Sequence, residues 1–298
     1  MSALRGPDIT RLTALAVLWS ASFVFIRVLA APIGPVWIAT LRMLVAGVAL
    51  VAWFVIVGYR ADVRSHWRAY LFVGALNSAV PFLLFAWAAQ TLPASYLVVL
   101  NAATPMFAAL VAAAWLDERL GAAKAAGLVV GAAGVALVSG AGPLAPTPAV
   151  VAAVVASLAA ALCYALAGVW LKRHGAALEP KAIAGWSQLL AGGAMLPLAL
   201  PFPMPGPVTP WILANIAALA LLCSAVAYLL YFRLIRDIGP TRAMSVTFLI
   251  PALGMLWGVL FLDEAVTPAM LAGAALVVAG TVAVLRPAPL AKASPGTV

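Results

Sequence analysis

The side chains in this sequence that could hold a ligand sit inside long apolar runs, and almost none of them ionises near neutral pH. Asn77, Asn101, Tyr164, Tyr228 and several serines and threonines interrupt runs of Ala, Leu, Val and Phe, whereas no Asp, Glu, Lys or His lies at the middle of any run. Amides, hydroxyls and ring faces bind by hydrogen bonding and stacking; they do not by themselves activate a nucleophile or exchange a proton near pH 7. Serine chemistry inside a membrane needs a base such as histidine, and His66 and His174 both fall between runs. Aspartyl chemistry needs paired acids inside a run, and the sequence has none there. Cys163 and Cys223 lack the Cys/His spacing of a metal site, and no Gly-rich phosphate loop of the Walker type occurs. The expected chemistry is therefore recognition of a small molecule, with no catalytic residue, no metal and no cofactor. A carrier that exchanges protons for cationic drugs needs a titratable acid in its pathway, so the expected cargo is neutral or zwitterionic.

The elements that hold these residues must be membrane helices. Of 298 residues, 66% are hydrophobic and 8% charged, against roughly 25% charged in soluble domains. Apolar stretches of about 20 residues, enough to cross ~30 Å of hydrocarbon, recur along the whole chain. Pro, Gly and charge clusters divide it into ten spans at about 10–31, 35–57, 67–90, 93–115, 122–140, 148–172, 180–200, 211–235, 240–262 and 267–286. The expected fold is all-α, a polytopic integral membrane protein of ten transmembrane helices. The first span follows Arg5 and Arg11 and ends in Ala30-Ala31-Pro32, but it is too long for a signal-peptide core and is expected to stay as a helix.

A net charge of +9 would suggest nucleic acid in a soluble protein, yet 15 of the 17 bases fall in alternate loops and at the termini. Bases resist translocation, so these loops and both termini are expected on the cytoplasmic side of a cell (inner or plasma) membrane. The partners expected are the bilayer and a small solute, not nucleic acid, with the chain a monomer or a dimer. The two other bases, Arg27 and Arg42, lie within spans 1 and 2. Each either snorkels to the outer interface or faces a watery cavity, where Arg42 could attract a carboxylate.

A shift of 146 residues superimposes the second half on the first. It pairs Ser78 with Ser224, Pro105 with Pro251, Leu116-Asp117-Glu118 with Leu262-Asp263-Glu264, Gly127 with Gly273 and Gly134 with Gly280. Each half holds five spans, so the copies enter the membrane from opposite sides, an arrangement common in alternating-access carriers with a midplane site. The halves are expected at 1–140 and 147–286, with a cytoplasmic tail at 287–298.

Trp19-Ser20-Ala21-Ser22-Phe23 with Arg27, Leu41-Arg42, Pro93 to Pro105, Leu116-Asp117-Glu118-Arg119-Leu120, Gly127 and Gly134 resemble one EamA module. Ala227-Tyr228, Gly239-Pro240, Pro251, Leu262-Asp263-Glu264, Gly273 and Gly280 resemble a second. The resemblance implies the drug/metabolite transporter superfamily, and the chain is similar to YddG-type exporters of aromatic amino acids. In the implied fold, helices 1, 3, 4, 6, 8 and 9 line a central cavity while 5 and 10 lie outside. The substrate-binding candidates on those helices are Trp19, Ser20, Phe23, Asn77, Ser78, Asn101, Thr104, Tyr164, Ser224, Tyr228, Ser245 and Thr247. Singly, each also fits a packing or backbone-bonding role. Pro81, Pro105 and Pro251 each remove a backbone hydrogen bond near mid-membrane, as static kinks or as gating hinges. Gln188 stands where the repeat would place a partner of Arg42, which confines any role of that arginine to the first half. The expected function is export or facilitated passage of small neutral or zwitterionic metabolites, foremost amino acids including aromatic ones. Multidrug or nucleotide-sugar and phosphate carriers are the alternatives within the superfamily, and a channel or intramembrane enzyme outside it.

Overall fold

No water reaches the backbone in hydrocarbon, so each spanning segment must satisfy its own N–H and C=O groups. The computed structural model, which describes residues 5–118, 120–140 and 144–285, meets this with helices and has no strand among the described residues. The helices are α1 (Gly6–Ile33), α2 (Pro35–Ile56), α3 (Val63–Ala88), α4 (Ala94–Trp115), α5 (Ala122–Gly140), α6 (Pro148–His174), α7 (Pro180–Ala199), α8 (Pro210–Ile238), α9 (Val246–Leu262) and α10 (Pro268–Leu285). All but α9 have 18 residues or more and are apolar enough to cross a membrane. Large apolar side chains such as Ile56, Val129 and Phe261, each at least 66% exposed, point outward, as lipid-facing residues do. The chain is a multi-pass membrane protein. The expected tail, with Arg286 and Lys292, lies outside the described residues, as does Arg119.

Contacts between helix ends sort those ends onto two faces. On face A, Arg11 near the start of α1 meets Asp237 at the end of α8 (2.9 Å), Tyr59 beyond α2 donates to Glu179 before α7 (2.7 Å), and Lys172 near the end of α6 meets Glu118 beyond α4 (2.6 Å). On face B, Arg27 donates to the carbonyl of Ala89 beyond α3, and Trp37 donates to the carbonyl of Phe202 beyond α7 (2.7 Å). Also on face B, Glu264 beyond α9 accepts from the amides of Ala94 and Ser95 at the start of α4 (2.6 and 2.9 Å). Helix α1 thus runs from A to B and α6 from B to A, so the two sets of five helices are inverted. Arg27 does not simply reach for the interface: its guanidinium caps a helix carbonyl.

Equivalent helices pack on each other or exchange partners. Helix α5 lies along α10 and α2 along α7, while α1 packs on α9 as α6 does on α4. The α5–α10 seam is glycine-made and reciprocal. A Cβ on Gly134 would stand 2.6 Å from the carbonyl of Gly273, and one on Gly280 would stand 2.5 Å from that of Gly127. Only residues without a side chain allow backbones this close.

Four spans depart from regular helix, in two related pairs. Helix α3 carries a π segment at Ala75–Ala79 and α8 one at Ala218–Val226, positions that coincide under the 146-residue shift. Pro81 follows the first, but Ala227 stands at the matching place after the second, so the proline is not what makes the π segment. Helix α4 breaks at residues 102–103, just before Pro105, and its second half starts afresh at Thr104. Pro251 lies inside a continuous α9, whose break falls earlier, at residues 244–245, after the single turn Pro240–Ala243. The span expected to begin at residue 240 therefore becomes a regular helix only at Val246.

Candidate functional site

Between the two halves lies a cavity of about 490 Å³, within the ~300–1,000 Å³ range of small-molecule sites. Its mouth is at face A, where Pro180 and Ile183 of α7 and Ile235 of α8 line it; its inner end is formed by Phe23, Arg42, Phe82 and Phe85. Beyond that end, Leu29, Ile33, Leu92 and Leu97 are wholly buried in one cluster and seal face B. Helices α5 and α10 contribute nothing to the lining, as the resemblance implied. Helices α2 and α7, which it left out, do contribute.

Eight of the twelve sequence candidates line the cavity: Trp19, Phe23, Asn77, Asn101, Thr104, Tyr164, Tyr228 and Thr247. Asn77 Nδ2 donates to the Tyr228 hydroxyl at 3.3 Å, linking α3 to α8. Asn101 ends the first part of α4, and its side-chain amide has no protein partner among the described residues. Thr104 Oγ1 donates to the Asn101 carbonyl (2.7 Å) and Thr247 Oγ1 to that of Met244 (2.8 Å), so each hydroxyl bridges a helix break. Pro105 lines the cavity beside the first break, whereas Pro81 and Pro251 are buried outside the lining.

Ser20, Ser78, Ser224 and Ser245 do not line the cavity. Ser20 accepts from Trp257 Nε1 (2.9 Å), Ser78 is enclosed in the π segment of α3, and Ser245 donates to the Arg242 carbonyl across the break (2.8 Å). Ser224 accepts from Arg42 Nε at 2.9 Å while donating to the Leu219 carbonyl at 3.3 Å. Ser20, Ser224 and Ser245 each donate to a carbonyl three to five residues back, the backbone-bonding role, whereas Ser78 is packed in with no hydrogen-bond partner for its hydroxyl among the described residues.

Arg42 is the charged group of the site. It is 8% exposed, lines the cavity, and its guanidinium lies 3.8 Å from the centroid of the Phe82 ring. Of the two readings of this arginine, the structure takes the cavity-facing one. The lining includes no Asp, Glu, Lys or His.

Sequence reasoning passed over Ser22, Phe82, Phe85, Tyr231 and Phe232, which also line the cavity. A signal was present. Tyr228, Tyr231, Phe232 and Ile235 stand at i, i+3, i+4 and i+7, as do Trp19, Ser22, Phe23 and Ile26, so each set is one helical face. Rings from these faces join two groups: Phe23 on Phe85 (5.4 Å between centroids) with Phe85 on Tyr164 (6.3 Å), and Trp19 on Tyr231 (5.3 Å).

An inverted pair of five-helix units around a cavity sealed at one face is the architecture of a membrane carrier. The EamA-like transporter family model matches residues 10–140 and again 151–286, and the chain belongs to that family. It is 25% identical to the uncharacterized transporter YvbV of Bacillus subtilis (strain 168), over 89% of this chain and 87% of that one. It is 29% identical to the protein PecM of Dickeya dadantii (strain 3937), over 80% and 79%. It is 27% identical to a probable terminal-alkyne amino-acid exporter of Streptantibioticus cattleyicolor, over 91% and 90%. One chain of known crystal structure superposes with a TM-score of 0.66 at 18% identity, covering 94% of this chain and 96% of that one, a likeness of fold.

Proposed function

We propose that this EamA-family transporter carries small neutral or zwitterionic metabolites out of the cell, foremost amino acids including aromatic ones, by alternating access at the central cavity. The observation that supports this most is the cavity itself: aromatic and amide-lined, without an acid, open toward face A and sealed at face B. Face A carries the bases of the described loops, which supports a cytoplasmic face A by the positive-inside rule. A continuous pore is disfavoured by the seal. The kinship with a named amino-acid exporter supports the cargo class.

The repeat supplies the means of alternation. Asp117 and Asp263 both adopt left-handed backbone (φ 53° and 52°), and the amide of each following glutamate bonds six residues back, Glu118 to Ala112 and Glu264 to Gly258. The two corners are alike, yet their carboxylates act differently. Glu264 caps the start of α4 and α9 packs closely there, whereas Glu118 is held by Lys172 and Lys124. In the other state of the carrier these roles exchange: Glu118 closes face A and Glu264 releases face B.

The test is counterflow in liposomes holding the purified protein. Saturable exchange of phenylalanine or another small neutral or zwitterionic solute above empty liposomes is expected. Flux no greater than in empty liposomes across amino acids, sugars and small amines refutes the reading.

A further inference from the structure

We infer that the cargo is a small monocarboxylate with an apolar body, that its carboxylate is the counter-ion of Arg42, and that recognition does not require an amino group. The inference rests on the carrier reading above and narrows it. Arg42 lies seven residues into α2, about 10 Å from its face B end at 1.5 Å per residue. None of the eight acids of the chain is near that depth: Asp8, Asp62, Asp117, Glu118, Glu179, Asp237, Asp263 and Glu264 all stand in loops or in terminal turns of helices. A buried guanidinium with no opposite charge is costly, and such a group inside a membrane protein marks a pathway or a ligand.

The partners of Arg42 are neutral, and they hold it from behind. Nε donates to Ser224 Oγ, whose own O–H is committed to the Leu219 carbonyl in the π segment of α8. One face of the guanidinium covers the Phe82 ring. Its terminal N–H groups donate to no described residue, although Arg42 lines the cavity. That leaves a positioned two-pronged donor at the inner end, the arrangement that suits a carboxylate. One carboxylate balances one guanidinium, whereas a phosphate dianion would leave a negative charge buried. The rings of Phe23, Phe85 and Tyr164 stand along the same end and suit an apolar body. A cargo ammonium finds no acid in the lining, only amides, hydroxyls and ring faces, and it is repelled by Arg42, so recognition does not depend on it.

The test measures counterflow into liposomes carrying the full chain, with phenylalanine, 3-phenylpropionate, phenethylamine, phenylalaninamide and glucose each used as labelled solute and as competitor. The two acids are expected to compete within a few-fold of each other. The amine and the amide should be weaker by about tenfold or more, the size of a lost charge-assisted hydrogen bond. Arg42→Gln should bring the acids down to the level of the amide, with Arg42→Lys between. If Arg42→Gln does not fold, Ser224→Ala, which leaves the charge but removes its support, should lower the acid-to-amide preference several-fold. Equal competition by the amine or amide, or an acid preference that survives Arg42→Gln, overturns the inference. Movement of the amine, amide or glucose without either acid overturns it while leaving the carrier reading intact. No movement of any of the five overturns both.

Discussion

Asn101 and Ser224 separate binding from architecture at the scale of single residues. The side-chain amide of Asn101 faces the cavity without a protein partner, so Asn101→Ala is expected to raise the KM for cargo several-fold. Its melting temperature should stay close to that of the parent, as for substitutions away from core contacts. Serine at 224 is wholly buried and holds Arg42. Ser224→Ala is expected to cost about 1–3 kcal/mol of stability, because Arg42 Nε then loses its acceptor; chemical denaturation in detergent would measure it. Tyr228→Phe falls between the two, removing both a cavity hydroxyl and the acceptor for Asn77. The twelve candidates were legible as polar and aromatic residues within apolar runs, but which of them face the cavity was not. A serine reads the same in sequence whether its hydroxyl turns to its own backbone or to a ligand, and the four serines among the candidates that do not line the site could be told apart only from their surroundings in the fold.

At the scale of elements, the unequal use of the two Asp-Glu corners gives a directional expectation. Glu264→Ala removes the acceptor for two amides at the start of α4, an interaction of the size of a helix cap, about 1 kcal/mol. The seal at face B should weaken accordingly. A cysteine placed at Leu92 should then react faster with a membrane-impermeant maleimide from that side, and an unchanged rate would count against the exchange of roles. Glu118 bears on the opposite face. Lys172, hydrogen-bonded to it, and nearby Lys124 hold its carboxyl below the usual carboxylate range. Because that pKa is depressed, the contribution of this cluster is present above about pH 4.3, the unperturbed glutamate value, and is lost as pH falls through the lowered one. Melting scans at pH 7 and pH 3 should find that Glu118→Gln reduces the acid-side loss by no more than about 1 kcal/mol, since the pair is partly exposed. Helix boundaries followed from Pro, Gly and charge to within a few residues. The π segments and the displaced break in α9 did not, because equivalent prolines at 105 and 251 sit in different local backbones: the first opens a new helix and the second is absorbed within one.

For the whole molecule, the inverted pairing of halves was readable from Leu116-Asp117-Glu118, Leu262-Asp263-Glu264 and the glycines under one shift, since those residues are set by backbone geometry. The inequality of the two faces was not readable, because a duplicated sequence describes both states alike and a structure holds one. The crossed glycines of α5 and α10 carry a consequence for assembly. Gly127 meets Gly280 and Gly134 meets Gly273, while the repeat equates Gly127 with Gly273 and Gly134 with Gly280; each half therefore offers the other the same surface it receives, as in an isologous dimer. Specificity of pairing then resides in that shared surface and not in the covalent join. Co-expressed fragments 1–143 and 144–298 are expected to co-purify as a stoichiometric pair. A Gly134→Val fragment should fail to do so, because its side chain would meet backbone on the far helix that has no room to yield.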